Sequence, residues 1–395
     1  MPETVQASAT VTEAVAVTVV SAWTLAEDKK VKENILKITK LAAMQTDALT
    51  LNNLSIFIYP HRDYVFIIAQ LFWMKIVLVR KICYNLSMGG ADTIEKIRKR
   101  IRACDYLATA QLFLQDNFLL ERPLEFHDIN PRLLGHWGTC HGINVAYANL
   151  KNHFKDDVDF TLVVGPGHGF PALQANLFID GELKRFEPGL TLNEKGIRYL
   201  CRNFSWPDGF PSHASPLTPG VITEGGELGY ALANAYGLVL GHPEKTVAVL
   251  IGDGELETAT ALDSLNLKNL LTGAKNGRVL PILHLNGYKI SAPTIYARKS
   301  ERELNELIRG FGFTPVLIDG EETEKFQELL NAEIEAPFYI LKTEKGFGGP
   351  NRFQMSHQIP LKNPKTDEKE LKALESWLRS YNFAELFDKV KGFRW

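Results

Sequence analysis

The sequence predicts an α/β protein with a doubly wound, mainly parallel sheet. Residues 246–251 and 279–285 are short apolar stretches that predict two buried strands, and the segment between them predicts a helix. Strands joined in this way are typical of a parallel βαβ unit. Residues 160–164 predict a third buried strand, and each of the three strands leads into a loop of glycine and polar residues. Ligands bind such sheets where the strands end.

Two polar side chains follow the first two of these strands. Asp253 stands between two glycines directly after the first strand, and Asn286 ends the second. Carboxylate and amide oxygens suit Mg²⁺, and glycines let a diphosphate approach the backbone closely. Alone, the glycine-flanked aspartate predicts only a tight turn and Asn286 only a loop cap. The pairing of both residues at two strand ends favours a site for a metal ion and a diphosphate.

Composition gives few constraints beyond an ordinary globular chain. The chain has 395 residues, enough for one large or two ordinary domains, with 45% hydrophobic residues, 23% charged residues and a net charge of −2. This balance gives no reason to expect a nucleic-acid partner. The cysteines are far apart and form no CxxC pair, which argues against a disulfide framework or a structural zinc site and favours a cytoplasmic location. They are Cys83, Cys104, Cys140 and Cys201.

Residues 1–100 remain a divergent region without an assigned role. The N-terminal stretch has no early basic segment, so no secretory signal is predicted. Residues 64–79 form the most apolar stretch, but they are fewer than the roughly 20 that a membrane span needs, and Lys75 interrupts them. We predict a buried or amphipathic helix there and regard a membrane as an unlikely partner. A contact with one membrane face stays open as the alternative.

The helices predicted after residue 92 alternate with loops that carry histidine. Residues 94–113 have apolar side chains at helical spacing. A glycine-rich turn then displays His136 and Thr139 and leads into a helix that reaches about residue 150. The strand 160–164 opens into a loop with His168, and His213 lies in a later loop. A single loop histidine is typically a surface residue whose hydrogen bonds are satisfied. Three histidines that lie beside glycine or close to proline together favour a functional site.

Three further helices are predicted beyond these loops. The sequence Glu-Gly-Gly-Glu at residues 224–227 is expected to open an amphipathic helix that extends to about residue 240, with its first backbone N–H groups free for an anion. Residues 323–332 and 367–387 predict two amphipathic helices. Their aromatic residues are expected to pack in the core rather than to recognise a partner. These are Phe326, Trp377, Phe383 and Phe387.

Several motifs, in order along the chain, resemble the phosphoketolase family. They are NPRLLGHWGT, VVGPGHG, FPSHASPLTPG, EGGELGYAL, IGDGELET, PILHLNGYKI and SHQIPL, and the resemblance covers residues 101 to about 387. It implies the diphosphate-binding domain of a thiamine-diphosphate fold over residues 101–390. It also implies an aldehyde-lyase of carbohydrate metabolism that cleaves xylulose 5-phosphate or fructose 6-phosphate with inorganic phosphate. The products would be acetyl phosphate and an aldose phosphate. The resemblance thus places the reaction in pentose phosphate metabolism. A plain transketolase-type transferase is disfavoured by the GHWGT, PGHG and SHQ motifs.

The resemblance also assigns roles to individual residues, with thiamine diphosphate and Mg²⁺ as cofactors. The implied metal ligands are Asp253, Asn286 and the backbone carbonyl of Tyr288. The implied cofactor-binding residues are Thr139, His168, Gly226, Gly254, Glu255 and Lys345. The implied catalytic residues are His136, His168, His213 and His357, whose imidazoles would transfer protons at the sugar hydroxyls near pH 7.

The match is confined to the first domain of a longer family pattern, whose second domain supplies the carboxylate that activates the cofactor. We therefore expect a homo-oligomer, or a separate chain that supplies the second half of the site. A non-catalytic cofactor-binding or interaction protein, including a fragment of a longer phosphoketolase, is the alternative. Three residues depart from the family pattern near the site: Cys140, His141 and Phe170. The Phe170 ring is expected to obstruct a close approach of the backbone.

Overall fold

The computed structural model describes residues 90–218 and 220–395. The predicted helix at residues 64–79 and most of the divergent region lie outside this part of the chain. The helices are α1 (Gly90–Phe113), α2 (Cys140–His153), α3 (Phe170–Ile179), α4 (Glu194–Asn203), α5 (Ala231–Val239), α6 (Ala259–Ser264), α7 (Glu301–Gly310), α8 (Thr323–Asn331), α9 (Glu368–Ser380) and α10 (Phe383–Leu386). The strands are β1 (Phe160–Val164), β2 (Thr246–Gly252), β3 (Arg278–Leu285), β4 (Thr314–Asp319), β5 (Pro337–Lys342), β6 (Phe387–Asp388) and β7 (Gly392–Phe393).

Five strands form one parallel sheet in the order β1-β2-β3-β5-β4. The three strands predicted from the sequence are confirmed, and β2 pairs with β3 in parallel. Their register places Gly252 opposite His284, so that Asp253 and Asn286 leave the sheet at the same edge. This edge carries the candidate site. The short strands β6 and β7 form a separate antiparallel pair.

Helices cover both faces of the sheet. On β2, Ala248 and Leu250 face a core that includes residues of α1, α2, α3 and α9. Val249 and Ile251 face a second core that includes residues of α5, α6 and α7. Strand side chains alternate between the two faces, and both faces of a parallel sheet are typically buried in this way. The predicted doubly wound α/β fold is confirmed.

One helix begins later than the sequence analysis predicts. α5 starts at Ala231, so the glycines at 225 and 226 do not open it. The Gly225 N–H donates to the Ala214 carbonyl and to Glu224 Oε1, and the Gly226 N–H donates to the same carboxylate at 3.0 Å. The prediction of a helix N-terminus with free amides at these glycines is therefore wrong, because the neighbouring Glu224 side chain folds back onto them.

The last predicted helix is interrupted. α9 ends at Ser380, and Asn382 adopts a left-handed conformation with φ of 51° before the short α10. An asparagine tolerates this conformation better than most residues, and the chain turns at this position. The aromatic side chains of this region are packed in the core as predicted. The buried residues are Phe326, Trp377, Phe383 and Phe387. Among the residues that the structure describes, no helix combines the length and the apolar character needed to cross a membrane.

Candidate functional site

The loop after β2 places a buried carboxylate against the loop after β3. Asp253 is 2% exposed, and its Oδ2 accepts hydrogen bonds from the Gly287 N–H at 2.7 Å and from Thr294 Oγ1 at 3.1 Å. Its Oδ1 accepts from the Gly254 N–H at 2.9 Å. Burial raises the pKa of Asp253 to about 6, although these hydrogen bonds and the Lys345 charge oppose the rise. A carboxylate has about four acceptor positions, so one is left for a further ligand.

The other two predicted metal ligands belong to the turn that follows β3. Asn286 Oδ1 accepts from the Tyr288 N–H at 3.1 Å, and Gly287 between them has φ of +93°, which favours glycine. The Tyr288 carbonyl accepts from Lys345 Nζ at 3.1 Å. Because Gly287 also donates to Asp253, the structure brings the three predicted ligands into one small region.

Lys345 links this turn to the histidines. Its side chain is 1% exposed, and Nζ lies 3.1 Å from His357 Nδ1 while it also donates to the carbonyls of Tyr288 and Lys289. Burial lowers the pKa of Lys345 to about 8, and the charge of Asp253 opposes this effect. The ammonium group is therefore held beside the predicted metal ligands by two carbonyls and an imidazole.

Two of the predicted cofactor-binding residues, Glu255 and Gly226, differ in burial. Glu255 is 3% exposed and accepts hydrogen bonds from the N–H groups of Gly229 and Gly252, at 3.2 and 3.1 Å. Burial raises its pKa to about 7 against these hydrogen bonds. Its carboxylate therefore joins two loops of the site edge through their backbones. Gly226 lies in an exposed part of one of these loops.

The four predicted catalytic histidines form one cluster. The His136 ring centre lies 5.3 Å from that of His168, 5.0 Å from that of His213 and 5.0 Å from that of His357. The rings of His168 and His357 are also 5.0 Å apart. They come from four separate loops, so only the fold brings them together. His136 Nδ1 is buried and lacks a hydrogen-bond partner in the described part of the chain.

Three of these imidazoles are held in the neutral form. Burial lowers the pKa of His136 to about 4, and His213 and Lys345 add to the effect. Burial also lowers the pKa of His357 to about 3, with Lys345 and His136 as further causes. The pKa of His168 lies well below its usual value for the same reason. A neutral imidazole has one donor and one acceptor nitrogen, so each ring can donate one hydrogen bond and accept another.

These residues fit a metal ion with a diphosphate. The predicted ligands are hard oxygen donors, which Mg²⁺ prefers, and phosphate oxygens commonly complete its coordination. Close backbone approaches also require glycine, since a Cβ on Gly138 would lie 2.9 Å from Lys345 Cε. A Cβ on Gly167 would lie 2.1 Å from the Gly225 Cα. The unpartnered nitrogen of His136 adds a polar atom that a ligand can satisfy.

The departures from the family pattern lie behind the site rather than in it. Phe170 is fully buried and stacks near Phe204 in the core, so the expectation that its ring obstructs the backbone approach is wrong. Cys140 Sγ lies 3.2 Å from the His136 carbonyl. His141 bonds to Asp105 and Glu321, at 2.8 and 3.0 Å. None of these three side chains makes a ring contact or a side-chain hydrogen bond with the four histidine rings of the cluster.

Two residues that support the site, Thr294 and His284, were not predicted from the sequence. Thr294 donates to Asp253 Oδ2 and lies beyond the turn, with no motif to indicate it. His284 lies between the hydroxyls of Thr139 and Thr343, at 3.3 and 2.8 Å. Burial lowers the pKa of His284 to about 3, with further contributions from His141 and Lys345. A polar residue in an otherwise apolar strand is the one signal by which His284 could have been found.

Comparison with known proteins gives a matching family model and several similar sequences. A family model described as the XFP N-terminal domain matches residues 90–338 and 332–393. A probable phosphoketolase of Rhodopseudomonas palustris is 42% identical over 335 residues, which cover 77% of this chain and 43% of that protein. A probable phosphoketolase of Gloeobacter violaceus is 40% identical over 332 residues, which cover 76% and 42%. The chain thus spans less than half the length of these curated relatives.

A solved structure shares the fold. A mutant transketolase of Pichia stipitis superposes with a TM-score of 0.51 and 17% sequence identity, covering 74% of this chain and 44% of that chain. At this identity the likeness concerns the fold alone. It agrees with the doubly wound α/β fold described above.

Proposed function

The chain belongs to the phosphoketolase family, and we propose that it is the part of such an enzyme that binds Mg²⁺ and the diphosphate of thiamine diphosphate. The proposed reaction is that of an aldehyde-lyase, in which xylulose 5-phosphate or fructose 6-phosphate and inorganic phosphate give acetyl phosphate and an aldose phosphate. The family rests on the model that matches most of the chain. The substrates, the cofactor and the metal are parts of the proposal.

The observation that carries this proposal is the convergence of oxygen ligands beside the histidine cluster. Asp253 reaches the turn after β3 through its hydrogen bond to Gly287, and Lys345 connects that turn to His357. The proposed metal–diphosphate site and a group of neutral imidazoles therefore share one edge of the sheet. This combination suits a cofactor that is anchored by its diphosphate and a substrate whose hydroxyl groups need hydrogen-bond partners.

The residues of this chain have separate tasks in the proposed site. Asp253, Asn286 and the Tyr288 carbonyl would hold Mg²⁺, and the Lys345 ammonium would face the diphosphate charge. Thiamine diphosphate, when bound, supplies the electron sink for cleavage of a carbon–carbon bond. The histidine cluster would bind the sugar hydroxyls and inorganic phosphate. Its neutral rings can donate hydrogen bonds to them and accept hydrogen bonds from them, and the low pKa values disfavour protonated rings near pH 7.

Binding of the cofactor is the first test. Titration calorimetry of the full chain with thiamine diphosphate is expected to show binding only when Mg²⁺ is present. Asp253→Asn keeps the size of the side chain but removes its charge, and it is expected to weaken this binding by about 100-fold or more. Asp263→Asn, at an exposed position of α6, is the matched control and should bind like the unmodified chain. Equal affinity of both variants would refute the proposed metal site.

Activity distinguishes the two candidate functions. The second candidate, which the sequence analysis left open, is a protein that binds the cofactor without turnover. A hydroxamate assay for acetyl phosphate with fructose 6-phosphate, inorganic phosphate, Mg²⁺ and thiamine diphosphate decides between them. Acetyl phosphate formed by the purified chain would exclude the second candidate. Binding without turnover would support it, whereas recovery of activity when a complementary chain is added would support the first candidate.

A further inference from the structure

One buried side chain contacts several of the loops that build the site. His284 lies in β3, and its ring is placed between Thr139, at the start of α2, and Thr343, at the end of β5. Its backbone carbonyl accepts from the Asp253 N–H at 3.2 Å. Asn286 follows it by two residues. His284 therefore connects the metal-binding turn with the loops before α2 and after β5.

The imidazole fits this place because the first turn of α2 leaves room for it. His284 is 1% exposed, and a Cβ on Gly142 would lie 1.9 Å from its Nε2 atom. The loops that His284 joins also contact each other directly, since the Gly346 N–H donates to the Gly138 carbonyl at 2.8 Å. These loops carry Thr139 and Lys345. A shift of the ring would therefore displace two predicted cofactor-binding residues together.

The two hydrogen bonds of the ring differ in length. His284 Nε2 lies 2.8 Å from Thr343 Oγ1, a usual distance for a hydroxyl donor, whereas Nδ1 lies 3.3 Å from Thr139 Oγ1. No carboxylate bonds to the ring among the described residues. A neutral imidazole between two hydroxyls must donate at one nitrogen and accept at the other. The lengths favour acceptance from Thr343 at Nε2 and donation from Nδ1 to Thr139.

This direction of hydrogen bonding decides the state of the Thr139 hydroxyl. If Nδ1–H donates to Thr139 Oγ1, the hydroxyl proton of Thr139 is not used by the ring. It can then be donated to an anion, as a hydroxyl does when it binds a phosphate oxygen. If Nδ1 instead accepts, the hydroxyl proton is occupied by His284 and only oxygen lone pairs face the site. Lone pairs would repel a diphosphate.

We propose that His284 is a positioning residue that holds the Thr139 hydroxyl as a hydrogen-bond donor to the diphosphate by donating to it from Nδ1. Thr343 fixes this tautomer through its own hydroxyl. The proposal rests on the proposed function, because it assumes that a diphosphate binds at Thr139. The tautomer itself does not depend on any ligand and can be measured in the chain alone.

The tautomer is tested by nitrogen NMR of the full chain labelled at histidine, with His284→Asn used to assign the signal. The expected result is a neutral ring with its proton on Nδ1. A proton on Nε2 would overturn the proposal. This measurement decides the matter even if the unmodified chain does not bind thiamine diphosphate, a result that would refute the proposed function instead.

Two amide variants test the effect on binding. The amide of His284→Asn can donate from near the Nδ1 position, whereas that of His284→Gln reaches the Nε2 position. In calorimetry with Mg²⁺ and thiamine diphosphate, His284→Asn is expected to bind within about threefold of the unmodified chain. His284→Gln is expected to bind about tenfold more weakly, the loss of roughly one hydrogen bond to a charged group.

A third substitution shows whether Thr139 carries the effect. In chains that also contain Thr139→Val, the difference between His284→Asn and His284→Gln should disappear, since no hydroxyl remains to be oriented. Thermal unfolding of each variant confirms that it is folded. Equal binding of the two amide variants, or a difference that persists without the Thr139 hydroxyl, would overturn the proposed positioning role.

Discussion

At the scale of single residues, Gly142 determines whether the His284 ring can occupy its place. A Cβ at this position would lie 1.9 Å from His284 Nε2, far closer than atoms can approach. We expect Gly142→Ala to lower the free energy of unfolding by about 1 to 3 kcal/mol, because the imidazole and both threonine contacts must shift. Urea denaturation followed by circular dichroism measures this change.

A second helical glycine provides the control for that substitution. Gly237 lies in α5, and a Cβ there would have no atom within 4 Å. Gly237→Ala should therefore raise the free energy of unfolding by about 0.5 to 1 kcal/mol, the gain in helix propensity. If Gly142→Ala stabilised the chain as much as Gly237→Ala does, the close contact with His284 would not exist in solution.

The residues of the site differ in how readily the sequence indicates them. The place of Asp253 and Asn286 at one edge of the sheet was predictable, because each directly follows an apolar strand. Their role as metal ligands stays a prediction. Thr294 lies 41 residues from Asp253, and the partners of His284 lie 145 and 59 residues away. Such contacts arise from the register of the sheet and from helix packing. No local pattern records them.

At the scale of secondary-structure elements, His141 joins two helices to a loop. It lies in α2 and bonds to Asp105 of α1 and to Glu321 in the loop after β4. Asp105 also accepts from Asn144 Nδ2 at 2.7 Å. The ring is 6% exposed. Burial would lower its pKa, but Asp105 and Glu321 outweigh burial and raise the pKa to about 10.

This charged contact predicts how stability depends on pH in the alkaline range. The folded pKa of His141 lies above the value of about 6.5 in the unfolded chain. Its contribution is therefore fully present below about pH 6.5 and is lost as the pH rises towards 10. Urea denaturation at several pH values should show a decline with a slope of up to about 1.4 kcal/mol per pH unit from this group.

Two histidine variants isolate that contribution. His141→Asn should remove its share of the decline between pH 7 and 10. His153→Asn should leave that decline unchanged, because burial and Arg278 lower the pKa of His153 to about 4. A slope that is the same in the unmodified chain and in His141→Asn would show that His141 is not charged in the folded state.

Element boundaries were predictable only where side-chain periodicity alone determines them. The strand Phe160–Val164 and the helix that ends at Phe113 follow the apolar pattern closely. The glycines at 225 and 226 gave a misleading helix start because Glu224 satisfies their amides. Asn382 interrupts a helix whose apolar pattern continues across it. In both cases a local backbone interaction outweighs the periodic pattern.

At the scale of the whole molecule, the histidine cluster predicts sensitivity to acid. Burial lowers the pKa values of His136, His168 and His357, so the folded chain binds fewer protons than the unfolded chain below about pH 6.5. The free energy of unfolding should therefore fall as the pH decreases from 6.5 to 4. In this range the three histidines should take up as many as about three protons when the chain unfolds.

The slope of stability against pH measures this uptake. The acid slope is the slope of the free energy of unfolding against pH between pH 6.5 and 4. His136→Asn should reduce this slope by the equivalent of up to about one proton taken up on unfolding. Gly237→Ala, which changes no titratable group and meets no atom within 4 Å, should leave it unchanged. An acid slope that does not respond to His136→Asn would contradict the buried, neutral state of the cluster.

The site edge also exposes apolar side chains that favour association. Ile290 and Ile295 are 67% and 54% exposed beside the turn that carries the predicted metal ligands, and Met355 is 66% exposed beside His357. Exposed apolar groups clustered around a site mark a surface for a partner.

We expect the purified chain to self-associate, as measured by light scattering coupled to size exclusion. Met355→Glu should reduce the associated fraction, whereas Val390→Glu, at an 84% exposed position of the β6–β7 hairpin, should not. A monomer at high protein concentration would show that these side chains remain in water, and the site would then have to function without a partner chain at this edge.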